Sequence, residues 1–346
     1  VMWLADLAGT ILLLGLTAYT VLGGADFGAG FWDLTAGGAQ RGARLRGMIK
    51  RSMGPVWEAN HVWLIFVLVV FWTAFPRAFG PVMETLYIPL FLAAIGIIFR
   101  GAAFALRGEA ATIAEARALG ATFAFASVLI PFFFGTVIGA IADGRVPVGG
   151  GDPWRSWTGP VPLFAGVLAV AIGAYMAAMF LAGDAARSGF DDMVRAFRAR
   201  ALGAAVVAGV LAIAGLVIIR FEAPGLYDGL TSGPGLAAVA GSALAGLVTL
   251  VLVWRGRYEA ARYTSAVAVG AVVAGWGFAQ RPDFLPGALS FDEAAAGDPT
   301  LIALLISIGI AFLVLGPSLW LLFRLSLRGR LDTEFRPITA ASRDEE

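Results

Sequence analysis

The sequence predicts an all-α polytopic membrane protein, and two observations carry that prediction. Hydrophobic residues make up 59% of the chain and charged residues only 14%, with a mean hydropathy of +0.82. A soluble domain carries about 25% charged residues. Apolar runs of bilayer length, roughly 20 residues each, recur from end to end. The runs lack the period-two alternation of membrane strands, so a helix bundle is what satisfies the backbone polar groups in lipid.

Nine segments have the required length, approximately 5–22, 56–75, 82–104, 119–141, 161–181, 201–219, 235–254, 264–279 and 301–323. The first shows no cleavable signal and reads as a span. The second has Pro55 at its start, where the missing N–H of proline costs nothing. The seventh is rich in Gly and Ala, and the eighth is short. Basic residues gather after the odd-numbered spans: Arg41, Arg44, Arg46, Lys50 and Arg51 after the first, Arg187, Arg195, Arg198 and Arg200 after the fifth, Arg255, Arg257 and Arg262 after the seventh. Few stand in the opposite loops. The positive-inside rule then puts the N-terminus outside and the C-terminus in the cytoplasm. The outer loops are Gly/Pro-rich, with Trp154 and Trp157 in one and Pro282 and Pro286 in another. Residues 1–330 read as one transmembrane domain, and 331–346 as a polar, disordered cytoplasmic tail.

Several chemistries are excluded. The chain has no cysteine, so it holds no disulfide, thiolate metal site or iron–sulfur cluster. GGADFGAG at 23–30 is glycine-rich but lacks the spacing and strand–helix context of a dinucleotide fingerprint. His61 is the single histidine, so two histidines cannot clasp a haem here. The net charge of +1 is sorted by side and does not form a nucleic-acid patch.

The ionisable residues within the spans are Asp26, Glu58, His61 and Arg100, all near the cytoplasmic ends of their segments. Glu58 and His61 are three apart and share a helix face. Together the four fit a proton entry route, since carboxylates and imidazole exchange protons and a fixed guanidinium holds a carboxylate ionised. They fit equally well a structural ion pair, Arg100 with Glu58 or with Asp26, that ties helices together. Trp57 and Trp63 read as interfacial packing, and Glu84 as solvated. Gly23, Gly24, Gly28 and Gly30 allow tight turns and close helix approach. AYTVLGGAD at 18–26 and AYMAAMFLAGD at 174–184 echo one another, although chance between Ala/Gly-rich segments is the slightly better account. A proton-coupled transporter would want its polar site at the bilayer midplane, where these spans are nearly bare.

Five stretches carry a resemblance: GGADFGAGFWDL (Gly23–Leu34), GPVWEANHVWLI (Gly54–Ile65), TAFPRAF (Thr73–Phe79), IPLFLAAIGIIFRGAAFALR (Ile88–Arg107) and GWGFAQRPDFLP (Gly275–Pro286). In this order they resemble subunit II of the cytochrome bd-type quinol oxidases. The resemblance implies nine helices, as two four-helix bundles plus one peripheral helix. It implies a heterodimer with a subunit I that carries haem b and haem d, and leaves room for a small single-span subunit. The complex it implies, in a bacterial or archaeal plasma membrane, oxidises quinol and reduces dioxygen to water with cytoplasmic protons. This subunit would hold no haem, supply part of the proton route and, as in some members, bind a structural quinone. Asp26 and Glu58 match the family's acidic positions, and Arg100 its Phe-Arg motif. The chain departs from the pattern with WEAN where many members have WDGN, with His61 where Gln or Glu is usual, and with Ala105 where some carry a carboxylate. These departures leave open an atypical complex with altered haem or quinol chemistry.

Overall fold

The computed structural model describes residues 2–38, 42–53, 57–106 and 110–327. Pro55 and the tail at 331–346 lie outside these residues. Helix α1 (Met2–Leu34) runs for 33 residues, about 50 Å at 1.5 Å per residue. That exceeds the ~30 Å hydrocarbon layer of a bilayer. The short α2 (Ala43–Met53) follows, with Lys50 and Arg51 in its last turn. Helices α3 (Trp57–Ala74) and α4 (Pro76–Thr85) meet at Phe75 with a bend of 118°. Pro76 sets the break, because its ring disfavours helical backbone at the residue before it. Phe75 accordingly sits at φ −130°, ψ 55°. The next helix, α5 (Tyr87–Leu106), therefore begins later than the residue 82 expected for the third span, and Val82–Thr85 belong to α4.

Helix α6 (Ile113–Ala142) starts on a capping box, with the Glu115 N–H donating to Thr112 and the Thr112 N–H donating to the Glu115 carboxylate. Helix α7 (Pro160–Arg187) begins with proline in its first turn. Helix α8 (Asp191–Glu222) begins with Asp191 and Asp192, which complement its dipole. Then come α9 (Pro224–Leu230), α10 (Gly233–Trp254) and α11 (Tyr258–Ala279). The expected loop over residues 281–299 holds local order: an antiparallel hairpin of β1 (Asp283–Leu285) and β2 (Leu289–Ser290), then α12 (Phe291–Ala294) capped by Ser290 and Glu293. Helix α13 (Asp298–Leu327) ends the described chain.

Among the described residues seven helices are long and apolar enough to cross a membrane: α1, α5, α6, α7, α8, α10 and α13. The bent α3–α4 pair makes eight if counted as one span. The eighth expected segment falls on α11, which is helical for 22 residues. It is not among those seven; Glu259, Arg262 and Thr264 lie in its opening turns.

The chain divides into two compact units, Val1–Leu301 and Ile302–Glu346. Within the first, α3 lies on α1, α5 on α6, and α6 on both α1 and α7. Helix α8 packs on α7, α10 on α8 and α11, and α11 on α7 and α1. The Arg/Lys-rich segments place one basic end on the first unit: the C-terminal ends of α1, α7 and α10 and the start of α8.

The glycines of 23–30 do not turn the chain; α1 stays helical through them. Their role is close approach. A Cβ on Gly28 would stand 1.8 Å from the Gly173 carbonyl oxygen of α7, and one on Gly30 would stand 2.2 Å from Ser127 Oγ of α6. The crossing is pinned where Trp32 Nε1 donates to the Ala174 carbonyl at 2.8 Å. Gly28→Ala should destabilise the detergent-solubilised protein by at least about 1–3 kcal/mol through overpacking. Gly47→Ala on α2, where no atom lies within 4 Å of the added Cβ, serves as the neutral control in the same thermal melt.

Candidate functional site

The close approach of α1 to α6 brings the polar residues together. Tyr19, Asp26 and Gly30 fall on one face of α1, spaced by seven and four. On α5, Gly96 stands where a Cβ would meet Ile130 of α6 at 2.8 Å, so the two helices nearly touch. One turn on, Arg100 leaves that same face and enters the gap.

Arg100 Nη2 donates to Asp26 Oδ1 at 2.7 Å and weakly to the Asp26 carbonyl at 3.4 Å. Arg100 Nε donates to Ser127 Oγ at 2.9 Å, and that hydroxyl donates onward to the Phe123 carbonyl at 2.7 Å. The guanidinium lies over the rings of Phe123 and Phe27, 4.7 and 5.1 Å from their centroids. Asp26 is 1% exposed and Arg100 2%. An isolated charge so placed would cost several kcal/mol, and only a hydrogen-bonded partner makes it tolerable.

Two further titratable groups border the pair. The His61 ring of α3 stands edge-on to Phe27 at 6.4 Å. Tyr19 is buried and packed edge-on against Phe27 and Phe134. Asp26 Oδ2 and the Tyr19 hydroxyl are buried without a hydrogen-bond partner among the described residues. Oδ1 thus takes the guanidinium, and Oδ2 keeps its lone pairs for a proton or a water.

The four expected residues therefore fare differently. Asp26 and Arg100 are in direct contact, and His61 borders them across Phe27. Glu58 lies on the first turn of α3, and its side chain is outside the described residues. Ala105 sits on the exposed side of α5, so the position that departs from the pattern lies off this cluster. Sequence reading missed Ser127, Phe123 and Tyr19. A hydroxyl in an apolar run, such as Ser127 within FAFASVLI, was the signal for the first; nothing local marked the others.

The echo in α7 has a related but different outcome. Asp184 pairs with Arg187 and with Arg262 of α11, and Arg262 lies 4.1 Å above the Phe180 ring. Arg187 also meets Glu259. The network opens outward at the basic end, from Asp184 and Arg262 at 14% and 18% exposure to Arg187 and Glu259 at 40% and 49%, where water screens it. Of the two echoed carboxylates, Asp26 is the more deeply buried, at 1% exposure.

At the opposite end of the first unit lies a second feature, a cavity of about 380 Å³ between α1, α3, α6 and α11. Leu13, Val67, Phe71 and Phe284 give it apolar walls. Trp276 Nε1 and Gln280 Oε1, on residues that line it, are buried without a protein partner.

The family model described as cytochrome bd terminal oxidase subunit II matches residues 4–326. The cytochrome bd ubiquinol oxidase subunit 2 of Bacillus subtilis is 26% identical over 141 residues, which span 41% of this chain and 41% of that relative's length. A solved structure of bd oxidase from Geobacillus thermodenitrificans has a chain that superposes with a TM-score of 0.77 at 24% identity, over 94% of this chain and 98% of its own, and so shares the fold.

Removing one member of the buried pair leaves the other uncompensated. Arg100→Leu should cost about 3–5 kcal/mol of stability, and the Asp26→Leu/Arg100→Leu double variant should recover most of it. Unfolding by a denaturing detergent measures both; a double variant as unstable as the single one would mean the charges are not coupled.

Proposed function

The chain belongs to the cytochrome bd terminal oxidase subunit II family, and on that premise we propose that it is the haem-free subunit of a quinol:oxygen oxidoreductase. Its partner is a haem-bearing subunit I, which holds haem b and haem d. Together they oxidise two quinols and reduce one dioxygen to two waters. The four electrons need four protons, and in this reading those protons enter from the basic end of this chain.

The observation that carries the reading is the buried Asp26–Arg100 pair beside His61. Arg100 engages Asp26 through Oδ1, and no described residue hydrogen-bonds Oδ2, the oxygen that this reading assigns to proton transfer. Glu58 and His61, one turn apart on α3, stand on the entry side. An imidazole exchanges protons near neutral pH and suits a relay between water and a buried carboxylate. The topology that goes with this reading has nine spans, α1, α3, α5, α6, α7, α8, α10, α11 and α13, with the N-terminus outside. The basic end then faces the cytoplasm of a bacterial or archaeal plasma membrane. Residues 1–330 form the membrane domain and 331–346 its cytoplasmic tail.

The opposite-end cavity suits a structural quinone. Its walls are apolar, Trp276 Nε1 offers a donor for a quinone carbonyl, and the volume is that of a small-molecule site. A second reading, favoured by the complete burial of Asp26 and Arg100, makes the pair a device that only fixes helix register.

Two measurements separate these readings. Asp26→Asn and Glu58→Gln should each slow quinol-driven oxygen uptake roughly tenfold, about 1.4 kcal/mol on the barrier. The optical haem spectrum per complex should stay unchanged. Loss of assembly with normal turnover in whatever complex survives would leave only the register role. Trp276→Phe should lower the quinone extracted from the purified complex while oxygen uptake persists; unchanged quinone content would remove that cavity from consideration.

A further inference from the structure

At the basic end, α1, α6, α7 and α8 enclose an apolar groove of about 700 Å³. One charged residue lines it, Arg200 of α8. The rest of the lining is apolar: Gly203, Ala204 and Ala171 are its small members, and Trp32, Phe132 and Val207 its bulky ones. Val207 is 53% exposed, so the groove opens on the outer surface of this chain.

Arg200 is poorly served for a cation so close to lipid. Among the described residues it meets no carboxylate, and it donates one hydrogen bond, to the Ala196 carbonyl at 3.0 Å. Its guanidinium rests 5.7 Å from the Trp32 ring and 5.8 Å from Phe197. A guanidinium has five N–H donors in a fork that matches phosphate oxygens. Along α8 the lining runs from Arg200 to Leu211, about 16 Å at 1.5 Å per residue. One leaflet of hydrocarbon is about 15 Å deep. The groove is therefore headed by a cation at the interfacial end and is as long as an acyl chain within its leaflet.

We propose that this groove seats an anionic glycerophospholipid, its phosphate on Arg200 and one acyl chain along Gly203, Val207 and Leu211. The choice of a net-negative headgroup follows from the lining, which offers no carboxylate to receive the ammonium of a zwitterionic lipid. Basic pockets between spans at the cytoplasmic side are where such headgroups gain most. A peptide helix is the wrong occupant, being some 10 Å across, and a quinone carries no charge for the guanidinium. The inference rests on the chain spanning a membrane, with its basic end at one headgroup layer. It does not depend on the role assigned to Asp26.

The test uses the intact purified complex, delipidated in mild detergent and re-supplied with phosphatidylglycerol or phosphatidylcholine. Native mass spectrometry then counts the lipids retained. The wild type should hold one more phosphatidylglycerol than either Arg200→Leu or Val207→Trp, with at least a fivefold preference over phosphatidylcholine. Val207→Trp fills the groove from its exposed wall and leaves the cation in place, so it tests the seat independently of the charge. Equal retention by either variant overturns the proposal, and so does equal retention of the two lipids. A photoreactive residue at position 207 should capture lipid; capture of a polypeptide there would assign the groove to a protein partner.

Discussion

The site depends on one constraint: Asp26 and Arg100 must be buried together or not at all. In a membrane helix neither charge is tolerable alone, and the contact at 2.7 Å makes each the solvent of the other. Around that contact the protein has placed what a buried guanidinium needs. Ser127 takes its Nε–H, and two phenylalanine rings turn their negative faces to it. The pair thus ties α1 to α5, while Ser127 ties both to α6.

The glycines make that geometry reachable. Residues 23–30 let α1 run as a continuous helix against α7 and α6 at distances that a single methyl group would forbid. A turn at the same place would have carried Asp26 out to the water. With the helix continuous, Asp26 is withdrawn to 1% exposure, and Tyr19 and His61 both pack on the neighbouring Phe27 ring. The contrast with Asp184 shows what burial adds. That carboxylate also pairs with an arginine over a phenylalanine, but its network reaches out to Arg187 and Glu259, at 40% and 49% exposure, where screening weakens the coupling between charges. The same pairing motif therefore has different physical weight in the two halves.

The two ends of the first unit divide the chemistry. The basic end carries the ionisable cluster and the Arg200 groove, both built where helices approach an interface rich in arginine. The opposite end carries the apolar cavity with two unserved polar atoms, under a short hairpin and a capped turn of helix. Phe75, Phe284 and Phe291 cluster there, with centroids 4.7 to 5.2 Å apart, and brace the chain at the α3–α4 bend.

Composition determined that this chain is membrane-embedded, and the absence of period-two alternation in its apolar runs determined that helices, not barrel strands, satisfy its backbone in lipid. The sequence also singled out Asp26 and Arg100, since charges in apolar runs stand out against their surroundings. It could not say which carboxylate Arg100 takes, because partners 74 residues apart are chosen by helix crossing and not by spacing. The reading of Gly23–Gly30 allowed both a turn and a close approach, and only the backbone of α7 across the way decides for the second. Pro76 was visible, but the 118° angle it allows was not, since a proline breaks a helix without dictating where the chain goes next. Tyr19, Phe123 and Arg200 were ordinary residues in the sequence. Tertiary structure gave them meaning by deciding what each side chain faces, and that is a property of packed surfaces no single helix contains.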